Sequence, residues 1–326
     1  MRSQIFAIVL GVAASVAVNG GVAAQTYPTR TVTMVVPFPA GGSTDNIGRI
    51  LAEGMRGPLG QSVVIENVGG ASGNIGAGRV ARATPDGYTF VLGSWPTHVL
   101  NAAIFKLSYS PLQDFEPVAL VAAQPLFIVG RKTLVPNTLT ELIAWLKANP
   151  GQATQGTAGT GGASHIAGVF FQRASGTQYQ MIPFRGSAPA MQNLMAGQID
   201  MMIDLAASAS PHVKSGVIKT YAITSKTRLA TTPDVPTVDE AGLPGFYVSS
   251  WHAVWVPKGT PRDVIEKLNS AVVQALADPQ ISKRLADVGQ DVFPRDQQTP
   301  EALRSFHVSE SEKWWPIVKA ANIKAQ

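Results

Sequence analysis

Thr31-Val32-Thr33-Met34-Val35-Val36 runs into Pro37-Phe38-Pro39-Ala40-Gly41-Gly42-Ser43-Thr44-Asp45, and this stretch decides the fold. The β-branched run is short and apolar, as a buried strand requires. Two prolines break it. Ser43 or Thr44 can cap the helix expected over 47–55, with Asp45 in its first turn. The same plan returns over 155–173. A short strand there ends in Gly159-Thr160-Gly161-Gly162-Ala163-Ser164, and a helix follows.

The repetition has a chemical meaning. The N-terminus of a helix presents unsatisfied N–H groups and about half a positive charge. Glycines let those N–H groups approach a ligand closely, and nearby hydroxyls add donors. Such a turn suits a carboxylate or phosphate. Either turn alone reads equally well as an ordinary glycine turn. The pair, one from each half of the chain, favours a site that grips the two ends of one anion.

Between and beyond these turns, strand and helix signals alternate. Strands are expected over 62–66, 89–92, 126–129, 179–183, 199–203, 219–224 and 251–256, and helices over 76–83, 188–196, 261–277, 281–288 and 300–320. Thr138 and Glu141 have capping-box spacing ahead of a further helix. The alternation argues for parallel sheets with crossover helices.

The N-terminus points to export. Arg2 precedes an apolar run over 5–18, broken only by small residues such as Ser15, and Val22-Ala23-Ala24 offers small residues for cleavage. The run is shorter than the roughly 20 residues a membrane span needs. This reads as a secretory leader expected over 1–24, with Gln25 as the expected mature start. Removing it leaves 302 of 326 residues, enough for two domains. The chain has no Cys, so disulfides, thiolate-held metals and a lipid-modified cysteine are excluded. Net charge is +5, or +4 without Arg2. The excess is spread along the chain and is no nucleic-acid footprint.

Competing motifs lack their context. Gly76-Ala77-Gly78-Arg79-Val80-Ala81 fits a dinucleotide fingerprint, but no strand directly precedes it. Gly162-Ala163-Ser164-His165-Ile166 is not a nucleophile elbow. The five histidines are scattered and none has metalloprotease spacing, so neither a metal nor a cofactor is expected. Asp45 and Arg49 read as a surface pair four apart, and Trp314-Trp315 as core packing. An exported α/β chain with two anion turns and no catalytic set reads as a binding protein.

Several motifs resemble one family. Val36-Pro37-Phe38-Pro39-Ala40-Gly41-Gly42 with Asp45 and Arg49, Asn67 through Gly76, Pro85-Asp86-Gly87-Tyr88-Thr89, Pro236-Thr237-Val238, Glu240 through Gly245 and Gly259-Thr260-Pro261 are similar to the substrate-binding proteins of tripartite tricarboxylate transporters, also called Bug receptors. The resemblance covers essentially the whole mature chain. It implies a type II periplasmic binding protein fold, with two Rossmann-like lobes joined by a two-strand hinge. Lobe 1 would comprise 25–125 and 250–326, and lobe 2 would comprise 126–249. It further implies a monomeric, non-enzymatic periplasmic receptor that delivers a small carboxylate to a membrane permease. By motif, the ligand would meet Phe38, Ala40, Gly41, Gly42 and Ser43 on one side. Thr157, Gly159, Thr160, Gly161 and Ser164 would meet it on the other, with Asp204 near the cleft. Trp95 and Leu205 stand where polar or small residues are expected, which points to an aromatic or partly apolar carboxylate. The alternatives are a secreted hydrolase built around Ser164 and a sensor subunit that presents bound ligand.

Overall fold

The computed structural model describes residues 27–321 and 323. The expected leader lies outside them. In chain order the elements are β1 (Val32–Val36), α1 (Ser43–Leu59), β2 (Val63–Asn67), α2 (Asn74–Ala81), β3 (Thr89–Ser94), α3 (Asn101–Ile104), β4 (Phe115–Arg131), α4 (Leu139–Ala148), β5 (Thr154–Thr157) and α5 (Ala163–Ser175). Then come β6 (Gln180–Pro183), α6 (Ser187–Met195), β7 (Met201–Leu205), α7 (Ala206–Lys214), β8 (Ile218–Ile223), β9 (Ser249–Pro257), α8 (Arg262–Ala277), α9 (Pro279–Asp287), β10 (Asp291–Val292) and α10 (Pro300–Ala320).

Each lobe is built on a parallel triplet. In the first, β1 lies between β2 and β3. In the second, β5 lies between β6 and β7. The sheets are nonetheless mixed, where the alternation pointed to parallel ones. β9 runs antiparallel to β3 and β4, and β4 antiparallel to β7 and β8. The cause is the route of the chain. It leaves the first lobe along β4 and returns into β9, and two opposed crossings side by side are antiparallel.

β4 is 17 residues long, far beyond the expected 126–129. Its two halves have different partners. Phe115 to Pro125 pairs with β9, while Leu126 to Gly130 pairs with β7 and Phe127 to Arg131 with β8 on the other side. Pro117 disguised the first half. Proline is confined to edges, strand starts and bulges, and Pro117 sits where the register with β9 shifts. At the crossing, the Thr224 hydroxyl accepts from the Leu126 N–H at 2.9 Å and donates to the Val248 carbonyl at 2.6 Å.

Apolar stripes explain how the lobes stand without disulfides. α1 presents Ile47, Leu51 and Met55 to Met34 and Phe90 of the sheet beneath, and all five are buried. In the second lobe Phe127, Val129 and Met202 meet Met191 and Leu194 of α6. The opposite faces of both lobes share one cluster, bridged by α10. Trp314 packs edge-on against Trp95 of the first lobe at 4.8 Å and Phe170 of the second at 5.2 Å. Trp251 and Trp314 both donate their indole N–H to Glu310. Truncating a buried tryptophan of this kind costs about 3–5 kcal/mol. The expected capping box on α4 is present, with Thr138 Oγ1 accepting from the Glu141 N–H at 3.2 Å. The Glu141 carboxylate reaches back one residue further than usual, to the Asn137 N–H at 2.7 Å.

Candidate functional site

The two glycine turns lie at the carboxyl ends of β1 and β5, where open α/β sheets bind ligands. Their backbones are nearly identical. Gly41 has φ +82° and Gly161 has φ +78°, in the left-handed region that favours glycine. The residues that follow, Gly42 (φ −77°, ψ 171°) and Gly162 (φ −75°, ψ 172°), are the N-caps of α1 and α5. The Gly42 N–H donates to the Pro39 carbonyl at 3.4 Å, and the Gly162 N–H donates to the Gly159 carbonyl at 3.3 Å. Neither helix has a side-chain cap, so Ser43 and Thr44 do not cap α1 as expected. The N–H groups of each first turn are left for solvent or a ligand.

The side chain four residues on distinguishes the turns. The Gly41 N–H donates to Asp45 Oδ2 at 2.8 Å, and the Gly161 N–H donates to His165 Nδ1 at 2.8 Å. Asp45 is no surface residue. It is buried, and it also accepts from Arg49 Nε and Asn67 Nδ2, both at 2.9 Å. Burial works to raise its carboxyl pKa. The bonds from Arg49, Gly41 and Asn67 and the Arg49 charge outweigh that and hold it below the usual value. His165 is held below the usual imidazole value by burial. A backbone N–H only donates, so Nδ1 is the acceptor and the neutral ring carries its proton on Nε2.

A cavity of about 330 Å³ lies between the lobes at the second turn. Phe38, Ser72, Pro96, Asn101, Ile104 and Phe105 wall it from the first lobe, and residues 158–162 wall it from the second. Ile104 approaches the second turn closely, since a Cβ on Gly161 would lie 3.6 Å from its Cδ1. Among the described residues, no acidic or basic side chain lines this space. Its charge preference therefore comes from backbone N–H groups and the α5 N-terminus.

The expected site residues divide. Phe38, Gly159, Thr160 and Gly161 line the cavity. Ala40, Gly41 and Gly42 are exposed on the first turn. Ser43 opens onto a separate interlobe groove that also holds Ser208 and Lys214. Ser164 is buried, and its Oγ accepts from the Ala158 N–H at 2.7 Å, which fixes the second turn. Thr157 is buried, with no partner for its hydroxyl. Asp204 is buried, accepting from Ser187 Oγ at 2.8 Å and Ser208 Oγ at 2.7 Å. Burial raises its carboxyl pKa against the opposing pull of the two hydroxyls.

Trp95 lies elsewhere than expected. It is fully buried against Trp314 and does not line the cavity. Its size makes it core, while the next residue, Pro96, starts the turn that reaches the cavity. The sequence reading did not pick out Ser72, Pro96, Asn101, Ile104 or Phe105 as site residues. One signal was available for Ser72, which lies within a glycine-rich motif. Ala71 (φ 47°) and Ser72 (φ 57°) are the non-glycine residues with positive φ among the described residues, and such strain gathers at ligand sites.

The chain resembles known proteins along most of its length. The chain is 36% identical over 313 residues to Protein BugT of Bordetella pertussis, covering 95% of each. Among solved structures it is similar to the periplasmic binding protein BugD, at 42% identity and TM-score 0.75, covering 92% of this chain and 100% of that one. It is also similar to MatC from Rhodopseudomonas palustris with bound malate, at 39% identity and TM-score 0.75, covering 90% and 100%. Residues 47–323 match the tripartite tricarboxylate transporter family receptor. With this match, the two-lobed fold and the paired turns at the cleft, the chain belongs to the tripartite tricarboxylate transporter receptors of the Bug type.

Proposed function

We propose that this receptor captures a small carboxylate in the interlobe cavity and delivers it to the membrane permease of a tripartite transporter. The observation that carries the reading is the second turn, which lines the interlobe cavity at the uncapped N-terminus of α5. The cavity holds backbone donors at one end and Phe38, Ile104 and Phe105 at the other. That suits one carboxylate on a partly apolar body better than a compact tricarboxylate. The malate in MatC supports the carboxylate class.

The way Ser164 is held supports binding without catalysis. Its oxygen accepts from the Ala158 N–H, and the neighbouring imidazole is engaged by the Gly161 N–H. Neither arrangement suits a nucleophile and its base. Export to the periplasm through the leader, as a monomer without cofactor or metal, completes the reading.

A thermal-shift panel of mono-, di- and tricarboxylates against neutral sugars tests it. At 100 times its dissociation constant a ligand adds about 2.7 kcal/mol of stability. Carboxylates alone should raise the melting temperature. A shift with sugars and none with carboxylates would overturn the reading.

A further inference from the structure

The sheet formed by the crossing strands β4 and β9 has two unlike faces. Trp251 and Trp255 of β9 point to one, where both rings meet His307 of α10. Gln124 and His252 point to the other. His252 pairs with Ala122 of β4, two residues before Gln124. Residues paired across a sheet, or two apart along a strand, share a face. Gln290 joins them, because Asp291 pairs with Ala123 and so sets Gln290 beside Gln124.

These polar side chains are almost wholly buried, with exposures of 2% for Gln124, 5% for His252 and 1% for Gln290. Gln124 Nε2, His252 Nδ1 and both Nε2 and Oε1 of Gln290 have no hydrogen-bond partner among the described residues. The Gln290 side chain is near enough to the imidazole to oppose the burial that lowers its pKa to about 4. A Cβ on Gly289 would lie 3.1 Å from Gln124 Nε2 and 2.8 Å from the Ala207 Cβ of the second lobe. The cluster therefore sits where the lobes touch.

A buried polar atom without a partner bears the full cost of its desolvation. Turning the Gln290 amide round gains nothing, since its donor and its acceptor are both unpaired. The set both donates and accepts, and a ring with a pKa of about 4 is neutral near pH 7. An ion would find no counter-charge among these three side chains. Water donates and accepts, and a buried water makes about three hydrogen bonds to groups of this kind. Ser43 and Gly289, next in sequence to Thr44 and Gln290, line the interlobe groove, which offers a route in.

We infer that Gln124, His252 and Gln290 form an internal water site at the crossing, whose bound water joins β4 and β9 to the segment entering β10. A hydrogen bond of 3.2 Å between His252 Nε2 and Thr44 Oγ1 continues the network into the first turn of α1. The site lies apart from the cavity and does not depend on the carboxylate reading.

A high-resolution crystal structure of the mature chain tests it. A water, or a linked pair of waters, should lie about 2.7–3.2 Å from polar atoms of all three side chains. Failure to find water there would overturn the site. Urea unfolding of Gln290→Leu separates a wet cluster from a dry one by sign. With the water in place, the substitution strands Gln124 and His252 and should raise the unfolding equilibrium constant about tenfold. A dry cluster would shed two unpaired atoms, and a variant that unfolds no more readily than the wild type would overturn the site. Adding Gln124→Leu to Gln290→Leu should cost much less than Gln124→Leu alone, because the shared water is already lost. Additive losses, the mark of a merely steric effect, would also overturn it. If Gln290→Leu does not fold, the crystal structure decides alone.

Discussion

The first and second glycine turns share a backbone and differ in electrostatics. In the first, a buried carboxylate, Asp45, already occupies the Gly41 N–H at the start of α1. In the second, a neutral imidazole occupies the Gly161 N–H and leaves the positive end of α5 unopposed. The cavity adjoins the second turn. One architecture thus yields a turn that stabilises its own lobe and a turn poised for an incoming anion.

The largest expected effect comes from Gly161→Val. A branched side chain disfavours φ +78° and would extend toward Ile104 across the cavity. Carboxylate affinity should fall by more than about 100-fold in calorimetry, with a stability loss of only about 1–2 kcal/mol from backbone strain. Gly41→Val carries similar strain, at φ +82°, but its Cβ meets nothing within 4 Å. Its affinity loss should be at least tenfold smaller, a margin of about 1.4 kcal/mol. Equal losses would erase the distinction between the turns.

Next in size is His165→Asp, which gives the second turn the chemistry of the first. A carboxylate at the α5 N-terminus would compete with the ligand for the same field. Affinity should fall by roughly tenfold, in keeping with helix-end charge effects of up to about 2 kcal/mol. Unchanged affinity would mean that the α5 field does not hold the ligand.

The turns should also fail in different pH windows. The depressed pKa of Asp45 contributes stability that is present above the unfolded value of about 3.9 and lost as the pH falls through the lower folded value. His165 is likewise depressed, so its contribution is complete above about 6.5 and erodes as the pH falls toward its folded value. A protonated ring cannot accept from the Gly161 N–H. Amide NMR should therefore show the Gly161 resonance moving only below about pH 6.5 and the Gly41 resonance only below about pH 3.9. The buried His252 and His307, both pushed down to about 4, also erode stability as the pH falls below about 6.5. Simultaneous movement of the two glycine amides would contradict the assignment.

The smallest effect is expected at Trp95. Trp95→Phe should leave affinity within about twofold and cost roughly 1–2 kcal/mol in denaturant unfolding. Its indole N–H has no partner to lose, and its ring packs on Trp314 away from the cavity. A large affinity loss would return Trp95 to the ligand wall.

Much of the fold was legible because its signals are local. The β1-turn-α1 stretch, its echo at β5 and α5, and the Thr138–Glu141 cap are each settled by a few adjacent residues. The crossing strand β4 was not, because prolines at 117 and 125 hide a 17-residue strand whose bulge and partners are distant in sequence. The site followed the same rule. The Gly159–Gly161 turn could be read from glycine chemistry, and Phe38 from the family motif that holds it. Asn101, Ile104 and Phe105 come to the cavity only through the packing of the turn after β3, which no local pattern announced. Trp95 and Asp45 were misjudged for one reason: burial is a tertiary property, and both are buried.

The central claim is that a carboxylate is held between the lobes, chiefly by the second turn. A crystal structure with the carboxylate that gives the largest thermal shift tests this most directly. A carboxylate oxygen should lie about 2.7–3.1 Å from backbone N–H groups over 159–165, with the body of the ligand between Phe38 and Ile104. A ligand outside this cavity, or one whose only carboxylate rests on the Gly41 turn, would contradict the account.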